Sequence, residues 1–356
     1  MESTDTLNSS ISAAEFKNEI DPDPIVRKLR ADAKKLRSKV DELKLQLGQQ
    51  EDFFGQIVEH LDIIDAPEIE YVANTDIDKT CSAVLQVSDW HIGADIEQDE
   101  IEGFNSFNLE IATKRAGFLI ERFLEKVEGK RHTHNIDECV IICNGDMISG
   151  DIHDELRVTN EFPIPLQCTN AAALFSEFVA TISPHFETVR VEFLVPDNHS
   201  RRTKKNQMKQ AGVNSYNYLV GYMAQLKLAE IDNINFHLEV PIKKVIQIQN
   251  VKYLVEHGHT IQGWAGFPWY GAERETSREA KSRMFTEHQF HKMIIGHFHV
   301  PMNTEFFMVN GSLSGCSEYD HANGRNAKPA QITWFVDSEY GETDWNAFEL
   351  HYADDR

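Results

Sequence analysis

Five short polar stretches, each in the wake of an apolar, β-prone run, limit what this 356-residue chain can fold into. They are Asp89-Trp-His91, Asn144-Gly-Asp146, Asp197-Asn-His199, His257-Gly-His259 and Gly296-His-Phe-His299, preceded by AVLQV, CVIIC, VEFLV, KYLV and KMII. Runs of that length and composition predict buried strands. Each polar stretch then falls where a strand ends and the chain turns, the carboxyl edge at which open α/β sheets gather their ligands. A lone Asp-x-His or Gly-Asp is ordinarily a turn beside a surface histidine. Five in succession, each behind a strand, predict one shared metal site.

Imidazole, carboxylate and amide oxygen without thiolate suit Mn, Fe, Zn, Co or Ni rather than Ca or a Cys-bound structural zinc. One Asp can bridge two ions, and ion pairs about 3.5–4 Å apart recur in displacement at phosphorus. The expected cofactor is therefore two divalent transition-metal ions, with manganese ranked first, and the expected reaction is phosphoester hydrolysis.

With these residues in this order the chain resembles the calcineurin-like metallophosphoesterase superfamily, whose motifs run D-x-H, G-D, G-N-H, H and G-H-x-H. The resemblance spans roughly residues 81 to 315 and rests on all five motifs. It implies a four-layer α/β/β/α sandwich of two mixed sheets. Carried over residue by residue, it implies Asp89, His91 and His299 on one ion, Asn198, His257 and His297 on the other, and Asp146 bridging them. His199 is then the general acid and not a ligand: hydroxide formed between the ions attacks phosphorus in line, and His199 protonates the leaving alkoxide. Two positions depart from the pattern. Asp197 stands where the family has Gly; it is expected to take the left-handed backbone that Asp tolerates, with its carboxylate near enough to change metal affinity. In the fourth motif His257 and His259 both qualify as ligand, and His257 is preferred because it comes first off the strand.

Lys+Arg 35 against Asp+Glu 57 give a formal net charge of -22, so no global positive field draws the chain to nucleic acid or to an anionic membrane. A polyanion has to be met locally. His199-Ser-Arg201-Arg202-Thr-Lys204-Lys205 places four cations directly after the candidate acid, with Arg201 and Arg202 as the expected substrate contacts and a solvated loop as the competing reading. The 260–276 loop carries Trp264, Phe267, Trp269, Tyr270 and Arg274, either a base-stacking platform or a small satellite core. His153, Asp154 and Glu155 read as surface, and Tyr319 and His321 receive no role. The 5 Cys lack a Cys-x-x-Cys pair and read as reduced, buried thiols. No leader-like apolar segment follows Met1 and no stretch approaches the length of a membrane span, so a cytoplasmic location is expected, that of a host if the chain is phage-encoded.

Residues 1–22 are polar and without period, and read as a disordered tail. Asp23-Pro24 is a helix start, an N-cap carboxylate before proline. A heptad follows, with Val26, Ala33, Val40 and Leu47 at a and Leu29, Leu36 and Leu43 at d. Residues 23–65 are therefore expected to form a coiled-coil helix that makes a homo-oligomer; a single amphipathic helix lying on the main domain is the competing reading. Residues 66–80 read as a linker and 81–356 as the metallophosphoesterase domain, with helical periodicity over 107–128, 164–182 and 207–228. After the last motif FFMVNGSL and QITWFV look like strands, with Asn310-Gly311 as a turn signal.

Within the superfamily, the Gly-His-Phe-His pattern, the basic run and the coiled coil look most like SbcD-type DNA repair nucleases and their phage-encoded relatives, which implies DNA as the partner. A phosphoprotein phosphatase or cyclic nucleotide phosphodiesterase is the alternative, favoured by the net acidity. A non-catalytic scaffold, as in the retromer subunit with this fold, is disfavoured because none of the ligand positions is missing.

Overall fold

The computed structural model describes residues 34, 35, 37–39, 44, 63–74, 76–262, 269–324 and 326–356. The chain divides into two compact units, Met1–Leu61 and Asp62–Arg356. In the first unit the described positions are helical and exposed; the rest of the heptad, and the tail before it, lie outside the described residues.

The second unit is an α/β sandwich of two mixed sheets. Its elements are β1 (Cys81–Val87), α1 (Leu109–Arg131), β2 (Glu138–Cys143), α2 (Ile164–Ile182), β3 (Thr188–Leu194), α3 (Tyr216–Lys227), β4 (Ile234–Glu239), β5 (Lys243–Ile248), β6 (Val251–Glu256), α4 (Trp269–Arg283), β7 (Lys292–Ile295), β8 (Met302–Asn303), β9 (Phe307–Val309), β10 (Ala330–Asp337) and β11 (Gly341–Glu349). One sheet has the order β11-β10-β1-β2-β3-β4 and the other β5-β6-β7-β9-β8. β1 to β4 are mutually parallel, as are β6, β7 and β9, while β10, β11, β5 and β8 join antiparallel at the flanks.

Strands covered on both faces are mostly apolar, and β1 and β10 are buried throughout, their buried polar residues Gln86, Gln331 and Thr333 being hydrogen-bonded. Val84, Val140, Ile142, Leu194 and Trp334 of the first sheet interdigitate with Ile246, Tyr253, Val255, Ile294 and Met308 of the second. Where the rings of Trp334 and Tyr253 meet, the indole N–H donates to the Tyr253 hydroxyl at 3.2 Å. Outside the first sheet, Phe175 and Phe178 of α2 pack edge-on against Trp90. Each such fully buried ring contributes about 1.5–3 kcal/mol. On the far side of the second sheet Ala272 of α4 packs with Leu254, Met293, Phe307 and Val309. Helix, sheet, sheet and helix thus make the four layers.

Helix starts follow their caps. The Asn108 side chain accepts from the Ile111 N–H (3.0 Å) to open α1. α3 begins at Tyr216, later than the periodicity from 207 suggested, because Ser215 is its cap, accepting from the Asn217 N–H (3.1 Å), and 209–214 are turns. Asn310-Gly311 is not a hairpin turn. The Asn310 side chain is buried, donating to Ser88 Oγ (3.0 Å) and Gln331 Oε1 (3.1 Å) and accepting from the Ile332 N–H (3.0 Å), so it ties the two sheets together.

The segment before β1 is extended and held to the body. The N–H of Ile64 donates to the Lys227 carbonyl (3.0 Å), those of Glu70 and Tyr71 to the Pro184 carbonyl, and the Tyr71 hydroxyl to Asp137. Ile63, Ile64 and Asp65 are therefore not helical, as suits residues approaching Ala66-Pro67. Among the described residues no helix is long and apolar enough to cross a membrane, and all five Cys are buried and unpaired.

Candidate metal centre

Register brings the five polar stretches to one place. Val87 on β1, Cys143 on β2 and Phe193 on β3 stand level, so the loops carrying Asp89, Asp146 and Asn198 leave the first sheet side by side. In the second sheet Val255 is level with Ile294, and the Gly296 N–H donates to the His257 carbonyl (2.8 Å), which sets His257 beside His297. Buried amides join the two sheet edges: Gln86 Nε2 donates to Asn144 Oδ1 (2.9 Å) and the Ile295 carbonyl (3.0 Å), and Asn144 Nδ2 to the Glu256 carbonyl (2.9 Å).

The backbone is contorted here. Asp89, His91, Asp146, His297 and His299 all have φ between 48° and 66°, a region L-residues avoid, and such strain concentrates at functional sites. Two glycines make room. A Cβ on Gly145 (φ 103°) would lie 2.6 Å from His257 Nδ1, and one on Gly296 would lie 2.6 Å from Asp89 Oδ2.

At this edge three sets of ligand atoms lie within 4.8 Å of one another: Asp89, His91 and His299; His91, Asp146 and His199; and Asp146, His257 and His297. His91 and Asp146 each belong to two of them. His257 Nδ1–H donates to the Asn144 carbonyl (2.8 Å), which turns Nε2 toward Asp146 Oδ2 (2.9 Å) and Asn198 Oδ1 (3.0 Å). His91 Nε2 and His299 Nε2 are 3.2 Å apart, and His299 Nε2 is 3.4 Å from Asp89 Oδ1. Two imidazole nitrogens so close to one carboxylate share either a proton or a cation. The nitrogen and oxygen donors, in two sets linked through His91 and Asp146, fit a pair of divalent transition ions.

The electrostatics express the same demand. Burial alone would raise the carboxyl pKa values, yet the ion pair with His299 at 3.4 Å and the charge of His257 hold Asp89 below the usual range. Asp146 likewise stays well below it through His257 and His199, against its burial. His257 is pushed up to about 10 although burial opposes it, chiefly by Asp146. His299 also rises to about 10 against burial, through the nearby carboxylates of Asp320 and Asp89. His91 and His297 fall to about 3, through burial first and then the charges of His199 and His257 respectively. Two anions thus hold two extra protons, positive charge that metal ions replace on binding.

His199 sits at the lip. Its N–H donates to Asp146 Oδ1 (3.0 Å) and its Nδ1–H to the Ser149 carbonyl (2.7 Å). His259, the rival in the fourth motif, joins none of the three sets, and its Nδ1 is buried without a partner. Asp197 does not adopt the left-handed backbone expected of it. Its carboxylate accepts from the Asp146 N–H (2.9 Å) and from the Ser200 N–H (2.9 Å) and hydroxyl, so it clamps two site loops together instead of facing the cluster. Arg201 is braced against its own loop, donating to the carbonyls of Asn198 (2.5 Å) and Thr203 (3.0 Å). Arg202, Lys204 and Lys205 are exposed.

Sequence reasoning missed two supports. Ser88 donates to Asp89 Oδ2 and receives from Asn310. Asp320 places Oδ2 3.7 Å from His299 Nδ1. The Asp320 signal was a Ser-x-x-Asp capping box, in which Asp320 accepts from the Ser317 N–H (3.2 Å). His153, Asp154 and Glu155 are exposed, as read. Trp264 and Phe267 lie outside the described residues, while Trp269 packs edge-on against Phe307.

No protein-family model and no curated protein matches the sequence. Solved structures similar to this chain include Vps29 from Entamoeba histolytica complexed with Zn²⁺, at 13% identity over 76% of this chain and 99% of that one, TM-score 0.28. A novel archaeal phosphodiesterase follows at 11% identity, over 75% of this chain and 99% of that one, TM-score 0.35. A predicted phosphoesterase from Streptococcus pneumoniae matches at 14% identity, over 76% and 98%, TM-score 0.28.

Proposed function

We propose that this chain is a calcineurin-like metallophosphoesterase that hydrolyses phosphodiesters with two divalent transition ions, and that its substrate is DNA. The observation that carries the reading is the position of Asp146 within ligand reach of His91 on one side and of His257 and His297 on the other. Asp89, His91 and His299 would hold one ion and Asn198, His257 and His297 the other, with Asp146 between. Such a pair of ions activates water and neutralises charge on the phosphoryl oxygens.

The protein's own groups do the rest. The Ser149 carbonyl takes the Nδ1 proton of His199, so Nε2 is the atom that can hand a proton to the departing alkoxide, a poor leaving group without it. Asp146 receives the backbone N–H of His199 and so fixes the acid relative to the centre. Arg202, Lys204 and Lys205, free of the bonds that tie down Arg201, are available to successive phosphates. The formal charge of -22 favours the second reading, a phosphatase or cyclic nucleotide phosphodiesterase acting on small substrates.

A panel of metals against single-stranded DNA, duplex DNA, RNA, cyclic dinucleotides and an aryl phosphodiester separates these readings. Two ions per chain by elemental analysis and turnover of DNA with Mn²⁺ are expected. Turnover of cyclic dinucleotides alone would favour the second reading, and one ion or none with no turnover would end both.

A further inference from the structure

The two flanks of the cluster carry opposite charge. Beyond Asp89 and His91, the loop after β1 holds Asp95, Glu97, Asp99, Glu100 and Glu102, all exposed, and no Lys or Arg stands between 92 and 113. Beyond Asn198, the loop after β3 holds Arg201, Arg202, Lys204, Lys205 and Lys209, and no Asp or Glu stands between 198 and 229. β1 and β3 lie on either side of β2, so the loops rise about 10 Å apart with Asp146, from the end of β2, between them. Carboxylates spread over a distance comparable with the screening length of roughly 8 Å act together on a phosphate placed among them.

The acidic flank also presents aromatic surface. Phe104 is 57% and Tyr319 70% exposed. The Phe104 ring lies 5.4 Å from that of His321, whose Nε2 is 3.8 Å from Glu102. Tyr319 and His321 flank Asp320 on the short helix Glu318–Ala322, and Asp320 is the residue behind His299, so this surface is fixed to the metal centre. A surface that repels phosphate but offers open ring faces suits an uncharged, stackable group such as a nucleoside.

We infer that the acidic flank is an end stop for single-stranded DNA. The terminal nucleoside rests against Phe104 and Tyr319, the first phosphodiester lies over the cluster, and the remaining phosphates run along residues 201–209. Water adds to that phosphorus, one P–O ester bond breaks, and the alkoxide released takes a proton, so the strand shortens from its end. A continuous strand would have to lay further phosphates across Asp99, Glu100 and Glu102 and is rejected. The inference rests on the nuclease reading above.

The test compares a linear oligodeoxynucleotide with a covalently closed single-stranded circle of the same sequence. Binding is read by fluorescence anisotropy with full-length His199→Ala protein and Mn²⁺, which keeps the DNA intact, and hydrolysis with the wild type. The linear strand should bind about tenfold more tightly than the circle and be degraded stepwise while the circle survives. The combined Asp99→Lys, Glu100→Lys and Glu102→Lys variant, checked for an unaltered thermal midpoint, should bind both forms within about twofold. Phe104→Ala should weaken binding of the linear strand, but not of one ending in an abasic residue. Equal cutting of circle and line by the wild type would overturn the end stop and leave the nuclease reading standing, as would a triple variant that still discriminates. Hydrolysis of an aryl phosphodiester with neither DNA cut would remove the nuclease reading and the end stop with it.

Discussion

Asp320 stands behind His299, with Oδ2 3.7 Å from Nδ1, while Nε2 of the same ring faces Asp89 and His91. Burial alone would raise the Asp320 carboxyl, but the nearby His299 and its charge, with the hydrogen bonds from Ser317, hold it down to about 2. A carboxylate behind a ligating imidazole fixes the ring and raises its basicity, and loss of such a partner costs about 10–100-fold in metal affinity or activity. Asp320→Asn should therefore weaken one ion of the pair by that factor in a competition titration while the other holds. Two unchanged affinities would make Asp320 only a helix cap.

Gly296 packs against the carboxylate of Asp89. A Cβ there would lie 2.6 Å from Asp89 Oδ2 and 2.7 Å from Ser88 Oγ, so either group must move. Gly296→Ala is expected to fold, because φ at this position is not in the left-handed region, yet to bind fewer than two ions after metal loading. Full occupancy by elemental analysis would show that Asp89 tolerates the push.

Asp320 marks how far the sequence could be read. That the ligand residues would gather in one cluster was legible because each lies within a few residues of its strand end; the split into two sets of ligands came from the resemblance. Asp320 and Asn310 act across the fold: Asp320 reaches His299 from a helix cap, and Asn310 reaches Ser88 from the other sheet, contacts with no local periodicity. Asp197 was misread because a Gly-to-Asp change was judged by backbone freedom, whereas the carboxylate earns its place by accepting the Asp146 and Ser200 N–H groups. The sandwich was implied by the resemblance that the five motifs carry, while the buried strand runs and amphipathic helices that fill it were legible locally; the late start of α3 depended on Ser215, one polar residue inside an otherwise periodic stretch.

Proton and metal compete at the centre, with opposite consequences for pH. His257 and His299 are raised to about 10 from 6.5 in the ion-free protein. A raised pKa gives stability that is fully present below the unfolded value of 6.5 and is lost as pH climbs through 10. Protein stripped with chelator should therefore melt at progressively lower temperature across that window. Metal affinity should rise over the same range, because the ligands must shed those protons. Melting curves of stripped and Mn²⁺-loaded protein should diverge as pH increases; parallel curves would contradict the assignment of these protons.

His199 and Asp146 part company by role. His199→Ala should keep both ions and lose turnover most severely on substrates with poor leaving groups, by about 10²–10⁴-fold, the range of general acid catalysis. Asp146→Ala should lose metal and activity together, since one carboxylate serves two ligand sets and receives the His199 N–H. His199 lies within ligand reach of His91 and Asp146, which makes the stoichiometry decisive. Loss of an ion from His199→Ala would recast it as a ligand.

The basic loop divides in the same way. Arg201 donates to the carbonyl of Asn198, a candidate ligand, whereas Arg202, Lys204 and Lys205 project into solvent. Arg201→Gln should disturb the loop that presents Asn198 and reduce turnover of every substrate, a small aryl phosphodiester included. The combined Arg202→Gln, Lys204→Gln and Lys205→Gln variant should act on DNA instead, lowering the log–log salt slope of single-strand binding by about 0.7 for each phosphate contact removed. The aryl substrate should be affected far less, because it has no further phosphates to reach the loop. An unchanged salt slope in the triple variant would leave the loop a solvated surface and move the balance toward a small phosphodiester substrate.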